Sequence, residues 1–145
     1  MLAVAAGEQR VAHDANDELV QRERVAGVEL VDTTRWRAYD LHAGASLVDY
    51  QGGRLLLSGG TWASDATSST PRGVGLTVYG PGDRRPLHLL GRQFVQDVVV
   101  RGDLAYVRLT REPAGGYAVV DLRSGRTLHT GDGDPPILLL GAASR

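Results

Sequence analysis

The sequence predicts an all-β protein built from a repeated four-stranded antiparallel unit. Three observations carry this. First, three segments open with glycine and run on as apolar strands: Gly27-Val28-Glu29-Leu30-Val31-Asp32, Gly73-Val74-Gly75-Leu76-Thr77-Val78 and Gly116-Tyr117-Ala118-Val119-Val120-Asp121, with starts 46 and 43 residues apart. Second, apolar strands that end in glycine recur in the same phase, at Leu2–Gly7, Leu47–Gly52, Val98–Gly102 and Ile137–Gly141. Third, helical periodicity is nearly absent, and a fixed period of this length marks a repeated supersecondary unit.

Each unit reads as strands A, B, C and D. Strand A ends in glycine. Strand B follows at Arg10-Val11-Ala12-His13, Arg54-Leu55-Leu56-Leu57 and Leu104-Ala105-Tyr106-Val107. Strand C is the glycine-led segment. It leads into a turn at Asp32-Thr33-Thr34-Arg35, Pro81-Gly82-Asp83-Arg84 or Arg123-Ser124-Gly125-Arg126, whose residues preset or permit turn geometry. Strand D carries a Leu-His pair at Leu41-His42, Leu87-His88 and Leu128-His129. The first unit spans about 1–42, the second about 46–90 and the third about 95–130, with an orphan A strand at 137–141. Asp17–Val25 fits two helical turns behind an Asp cap or a B-to-C loop; the loops at equivalent positions of the other units favour the loop.

Continuous apolar runs such as Leu55-Leu56-Leu57, Val98-Val99-Val100 and Ile137-Leu138-Leu139-Leu140 suit strands covered on both faces. Four-stranded units of this period are the signature of β-propeller blades. A two-sheet sandwich is the alternative, but it does not require the same phase three times. The expected architecture is therefore a partial β-propeller: three four-stranded antiparallel blades plus one extra C-terminal strand.

Asp97-Val98-Val99-Val100-Arg101-Gly102-Asp103-Leu104-Ala105-Tyr106-Val107 resembles the LVIVD-type pattern of bacterial propeller repeats. Ala105-Tyr106-Val107, Gly116–Asp121 and Ser124-Gly125-Arg126 are together similar to the YVTN pattern and, more distantly, to pyrroloquinoline-quinone-type repeats, whose tryptophan is not repeated here. The resemblance covers about Gly27 to Leu140. It implies a propeller fold, in a group that includes binding modules, surface proteins and enzyme scaffolds. Three blades do not close a ring, because propellers have about 4–8. The resemblance therefore implies either missing blades of a longer protein, with this chain as its C-terminal part, or a homo-oligomer that completes the ring.

Composition narrows the function classes. The chain has 145 residues, no cysteine, a formal net charge of -1, 42% hydrophobic and 23% charged residues. This suits one globular domain with a modest core. The near-zero charge argues against general nucleic-acid binding, which needs a basic surface. Without cysteine there is neither a disulfide framework nor a thiolate metal site. No apolar run approaches the roughly 20 residues of a membrane helix. Met1–Ala6 lacks the basic and apolar regions of a signal peptide. The chain as it stands reads as cytoplasmic, and as extracytoplasmic if a longer parent carries a signal. All the basic residues are arginine, which a GC-rich genome explains more simply than arginine chemistry.

Alternating strand direction puts the B-to-C loops (about Asp14–Ala26, Gly60–Arg72 and Thr110–Gly115) and the D-to-A loops (about Ala43–Ser46, Gly91–Gln96 and Thr130–Pro136) at one end, and tight turns at the other. Function in such scaffolds sits on long loops. The candidate ligand or partner face is Trp62, Arg92, Phe94, Asp97, Asp132 and Asp134. Trp62 is an aromatic anchor in a polar loop. Asp97, like Asp49, stands near the inner strands, where a carboxylate meets a cation or a hydroxyl-rich ligand. Asp132 and Asp134 lie in Gly131-Asp132-Gly133-Asp134-Pro135-Pro136, without the remaining ligands of a calcium loop. Each aspartate has an ordinary reading as a turn or backbone hydrogen-bond acceptor. The Leu-His histidines fall on outermost strands roughly 20 Å apart, from a strand spacing of about 4.8 Å, too far to share one ion. Arg101-Gly102-Asp103 reads as a hairpin turn rather than an adhesion tripeptide. No phosphate loop or nucleophile elbow is present. The sequence names no catalytic residue, cofactor or metal. The leading expectation is a non-catalytic scaffold for a protein or small-molecule ligand, in a longer bacterial protein. The alternative is part of a propeller-scaffold enzyme, quinoprotein-like oxidoreductase or lyase, with catalytic residues in missing blades.

Overall fold

The computed structural model describes residues 2–13, 19–32, 34–41, 45–64, 69–81, 83, 85–110 and 115–135. The described residues are all-β, with thirteen strands in three sheets and every pairing antiparallel. Among them no helix is long and apolar enough to cross a membrane. The strands are β1 (Leu2–His13), β2 (Leu19–Asp32), β3 (Arg37–Asp40), β4 (Leu47–Gln51), β5 (Arg54–Ser58), β6 (Gly60–Ser64), β7 (Ser69–Gly73), β8 (Leu76–Tyr79), β9 (Leu87–Leu89), β10 (Val95–Arg101), β11 (Leu104–Leu109), β12 (Gly116–Asp121) and β13 (Thr127–Asp132).

The second and third repeats each form a four-stranded sheet, in the orders β4-β5-β8-β9 and β10-β11-β12-β13. Two-residue turns set their registers. Gln51 pairs with Arg54 around Gly52-Gly53, and Arg101 pairs with Leu104 around Gly102-Asp103. Gly52, Gly53 and Gly102 take positive φ, as tight hairpin turns require.

The first repeat departs from the expected four strands. Leu2–Gly7 and Arg10–His13, expected as strands A and B joined by a turn, form the single strand β1. It pairs continuously with β2 from Leu2↔Val31 to His13↔Leu19, with a register shift at Ala6/Gly7. The skipped residue is Ala26, so the bulge lies on β2 opposite Ala6 and Gly7, and it keeps the ladder while changing its twist. The expected loops at Asp14–Ala26 and Gly60–Arg72 are also corrected. Residues 19–26 belong to β2, while Gly60–Ser64 and Ser69–Gly73 are β6 and β7. The β6–β7 hairpin leaves the second sheet at Gly59 and Gly75, both at positive φ, and pairs with β2 through Gln21↔Ser64 and Arg22↔Ala63. The backbone groups that a loop would have given to water are satisfied in this first sheet, of order β1-β2-β6-β7 with β3 on β2. The expected strand at 137–141, His42, and Ala43 and Gly44 of the Ala43–Ser46 loop lie outside the described residues.

The sheets are layered in chain order. Leu56, Leu76, Val78 and Leu89 of the second sheet share one buried cluster with Val95, Val98, Val100, Ala105, Val107, Leu109, Ala118 and Val120 of the third. Leu57 of the second sheet joins Val28 and Ala45 in another, with Leu41, Val48 and Leu55 packed on it. Successive residues of one strand point to opposite faces, so Leu56 and Leu57, both 1% exposed, belong to different interfaces. This is why β5 is apolar at every core position instead of alternating.

A side chain closes the seam between the second and third sheets. The Gln51 amide donates from Nε2 to the Val98 carbonyl (2.8 Å), and its Oε1 accepts from the Val100 N–H (2.8 Å). It contacts the free edge of β10 as a peptide unit of a further strand would. Gln51→Ala would leave both groups without this partner. The expected loss is about 1–2 kcal/mol in urea unfolding, and no loss would contradict the seam.

Asp103 sits at the turn end of the same seam. Its carboxylate accepts from Arg54 (2.7 Å) and from Arg123. These hydrogen bonds, Arg123's first, hold its pKa below the ordinary carboxylate value, and those from Ser124 and the Arg123 backbone do the same for Asp121. Both folded-state values lie below the unfolded one. Their stabilisation is therefore complete above the unfolded carboxylate value of 3.8 and is lost as pH falls through the lower folded values. Asp103→Asn should flatten the acid limb of stability below about pH 4 and leave the neutral limb's slope unchanged. An unaltered acid limb would contradict the assignment.

The turn before β3 carries strain. Trp36 is 81% exposed and has φ 52°, in the left-handed region. Counted from Asp32 and Asp121, its counterpart in the third repeat is Gly125, at φ 73°. Trp36→Gly should raise stability by about 0.5–1 kcal/mol, since the side chain buries little and glycine removes the Cβ conflict. A destabilisation in thermal unfolding would show that Trp36 has packing partners.

Candidate functional site

Strand direction alternates within the second and third sheets, so one end of both gathers Ala45–Leu47, Ser58–Gly60, Gly73–Leu76, Leu89–Val95, Leu109–Thr110, Gly115–Gly116 and Asp132–Pro135. Backbone hydrogen bonds hold this end together. Val74 N donates to Gly59 O (3.1 Å), Gly75 N to Gln93 O (3.0 Å), Thr110 N to Phe94 O (2.9 Å) and Gly133 N to Gly115 O (3.4 Å). The approach of the Gly73–Gly75 segment, between β7 and β8, to the 89–94 loop needs glycine. A Cβ at Gly73 would overlap the Gln93 carbonyl, and one at Gly75 would overlap the Leu89 and Gly91 carbonyl oxygens.

Five of the six expected face residues have described side chains, and all five lie at this end. Arg92 is exposed in the turn closed by Gln93 N to Leu90 O (3.0 Å), with Leu90 and Gly91 both at positive φ. Phe94 is half-buried. Asp97 is exposed, and its Oδ1 accepts from the Val98 N–H (2.9 Å), the backbone-acceptor role a carboxylate at a strand start commonly takes. Asp132 and Asp134 are exposed at the end of β13. Trp62 lies in β6, in register with Pro71, in the hairpin that joins the first sheet; its side chain is outside the described residues. The structure thus brings Arg92, Phe94, Asp97, Asp132 and Asp134 to one end.

The residue that links two of them was not singled out in the sequence. Arg108 of β11 stands in register with Asp97 on one side and Tyr117 on the other. Its Nη2 forms an ion pair with Asp134 Oδ1 at 2.6 Å. Arg108 Nε and, two residues on, Thr110 Oγ1 are buried without a hydrogen-bond partner. Tyr117 in turn meets His129, its hydroxyl 3.1 Å from Nε2 and the rings 5.7 Å apart. A row of Asp97, Arg108 and Tyr117 therefore crosses the third sheet just below its loops. The only signal for it in sequence is the alternation of Tyr106, Arg108 and Thr110 with the buried Ala105, Val107 and Leu109.

His88 belongs to the second sheet, with Nδ1 3.1 Å from Thr77 Oγ1, and His129 belongs to the third. No group of three or more His, Cys, Asp or Glu among the described residues could hold a metal ion. Arg101-Gly102-Asp103 occupies the β10–β11 turn, and Asp103 faces two arginines there. The end is mixed in charge and fixed in position. It presents the exposed side chains of Arg92, Asp97, Asp132 and Asp134 and the half-buried Phe94, with Asp134 paired to Arg108, above the backbone hydrogen bonds that hold the loops. No family model, curated protein or solved structure matches the chain.

Proposed function

We propose that the chain is a segment of a propeller-type scaffold that binds a protein or small-molecule ligand on its loop end and carries out no chemistry of its own. The observation that carries this reading is the collection of Arg92, Phe94, Asp97, Asp132 and Asp134 at one end of two stacked sheets, four of them exposed. Binding residues on loops above a rigid core are the common arrangement for recognition. The resemblance to bacterial propeller repeats supports the same reading.

The test is binding to an array of short basic, acidic and aromatic peptides. The probes are the wild-type chain, Arg92→Ala and the paired Asp132→Ala/Asp134→Ala variant. Peptides that bind wild type and lose at least about tenfold in affinity in these variants, a change of about 1.4 kcal/mol, support the loop end. Binding that these variants leave intact, but that Arg123→Ala or Arg126→Ala at the opposite end removes, would overturn it.

A further inference from the structure

The third sheet has an uncovered counterpart of a covered face. Counted from the two-residue turns, Leu56 and Tyr106 are each third in their strands. In the second sheet Leu56 pairs with Val78, and both are buried against the third sheet, at 1% and 3% exposure. In the third sheet the corresponding row is Val99, Tyr106, Val119 and His129, each in register with the next. Val99, Tyr106 and Val119 alternate with Val98, Val100, Ala105, Val107, Ala118 and Val120, which face the second sheet, so they lie on the far face. There they are only half-buried.

The first sheet has the complementary gap. Counted from Gly27 and Gly116, Ala3↔Leu30 is the counterpart of Tyr106↔Val119, so β1 holds the register position of β11. β11 carries β10 on its other edge, and β5 carries β4. Among the described residues that edge of β1 carries no strand. The sequence holds one more segment of that type, Ile137-Leu138-Leu139-Leu140-Gly141, which ends in glycine as Val98-Val99-Val100-Arg101-Gly102 does. Within one chain, no buried cluster among the described residues joins the first and third sheets.

We propose that two copies of this chain associate head to tail. The far face of one copy's third sheet packs against the first sheet of the other, and Ile137–Leu140 of one copy adds as the inner strand to β1 of the other. A second copy is the fitting occupant because the contact repeats the one the chain already makes between its own successive sheets. Two copies also bring six sheets, a number within the range of about 4–8 that closes a ring. The added strand would satisfy the edge N–H and C=O groups of β1, which otherwise template uncontrolled pairing. The inference rests on the sheet stacking and not on the loop-end binding.

The test uses the full 145-residue chain. Light scattering coupled to gel filtration should give twice the monomer mass of 15.5 kDa. Counted back from glycine, Leu138 stands where Val99 does, so its expected partner in β1 is Ala3. The chain has no cysteine. Separately prepared Ala3→Cys and Leu138→Cys chains, mixed under mild oxidation, should therefore form a mixed disulfide dimer in high yield. Val119→Glu should weaken association at least about tenfold, because the charge would be buried without a partner. If that variant fails to fold, the cysteine pair alone decides. A monomer at high micromolar concentration would overturn the proposal. So would a disulfide that forms only inside the doubly substituted chain, or a mixed disulfide in assemblies larger than two.

Discussion

Replacing Leu56 with alanine should destabilise the protein by about 3 kcal/mol. Buried leucine truncations cost about 2–5 kcal/mol, the lost transfer energy plus the cavity left behind. Leu56 is 1% exposed in the cluster that joins the second and third sheets. Both of its ladder neighbours, Asp49 and Val78, are fixed in the sheet, so the site has little freedom to collapse. Tyr50→Ala is the matched comparison, one position before Gln51 on β4 and 70% exposed. It should change stability by less than about 0.5 kcal/mol, as surface substitutions do. Urea unfolding of the two variants measures the contrast. Equal, small losses would mean that the two sheets do not share a core.

Gly75→Ala should cost about 3 kcal/mol, for two separable reasons. Its φ is +73°, and an L-residue there loses about 1–2 kcal/mol. Its Cβ would also overlap the carbonyl oxygens of Leu89 and Gly91, which are backbone atoms that cannot rotate away. Relief would require the 89–93 loop to withdraw, and Gly75 N donates to Gln93 O in that same loop. Gly102→Ala isolates the first reason. Gly102 has φ +60° and nothing within 4 Å of an added Cβ, so only the backbone cost of about 1–2 kcal/mol applies. A Gly75→Ala loss no greater than that of Gly102→Ala would show that the loop does not sit against Gly75.

These two residues also show which parts of the fold local sequence encodes. Gly116 leads a strand whose alternation and turns are set within its own repeat, and the second and third sheets have the expected order. Gly73, expected to lead a strand, instead ends β7, and the strand after it starts at Leu76. The Leu55–Leu57 run is apolar because both faces of its sheet are covered, a pattern readable without coordinates. Val98–Val100 has the same composition, but only Val98 and Val100 face a neighbouring sheet, and Val99 on the far face is half-buried. The first sheet was not readable this way. Gly7, followed by Glu8-Gln9-Arg10, has the composition of a turn, yet it lies inside a continuous ladder, opposite a bulge at Ala26 of β2. Gly60–Arg72 is rich in small polar residues, the composition of a loop. It is a hairpin because β2, about forty residues earlier, pairs with it. No local pattern encodes a partner at that distance.

The site divides in the same manner. That Arg92, Phe94, Asp97, Asp132 and Asp134 share an end follows from strand direction alone. The Arg108–Asp134 ion pair does not, since it depends on a chain path through residues 115–134 that runs along β12 and back along β13, two strands from Arg108 on β11. The same holds for Gln51, whose position at the end of a strand gives no hint that its amide reaches the edge of the next sheet.

The seam at Gln51 offers the most direct test of the stacked-sheet account. Val100 N–H points away from the β10–β11 ladder, and its acceptor is Gln51 Oε1 from the other sheet. An edge amide without a partner exchanges readily with solvent. Residue-resolved hydrogen exchange should find Val100 N–H protected in the wild-type chain. In Gln51→Ala that protection should be lost, while the ladder amides of β11 and β12 stay protected. Rapid exchange of Val100 N–H in the wild-type protein would contradict the account, because the second sheet would then not lie against the third.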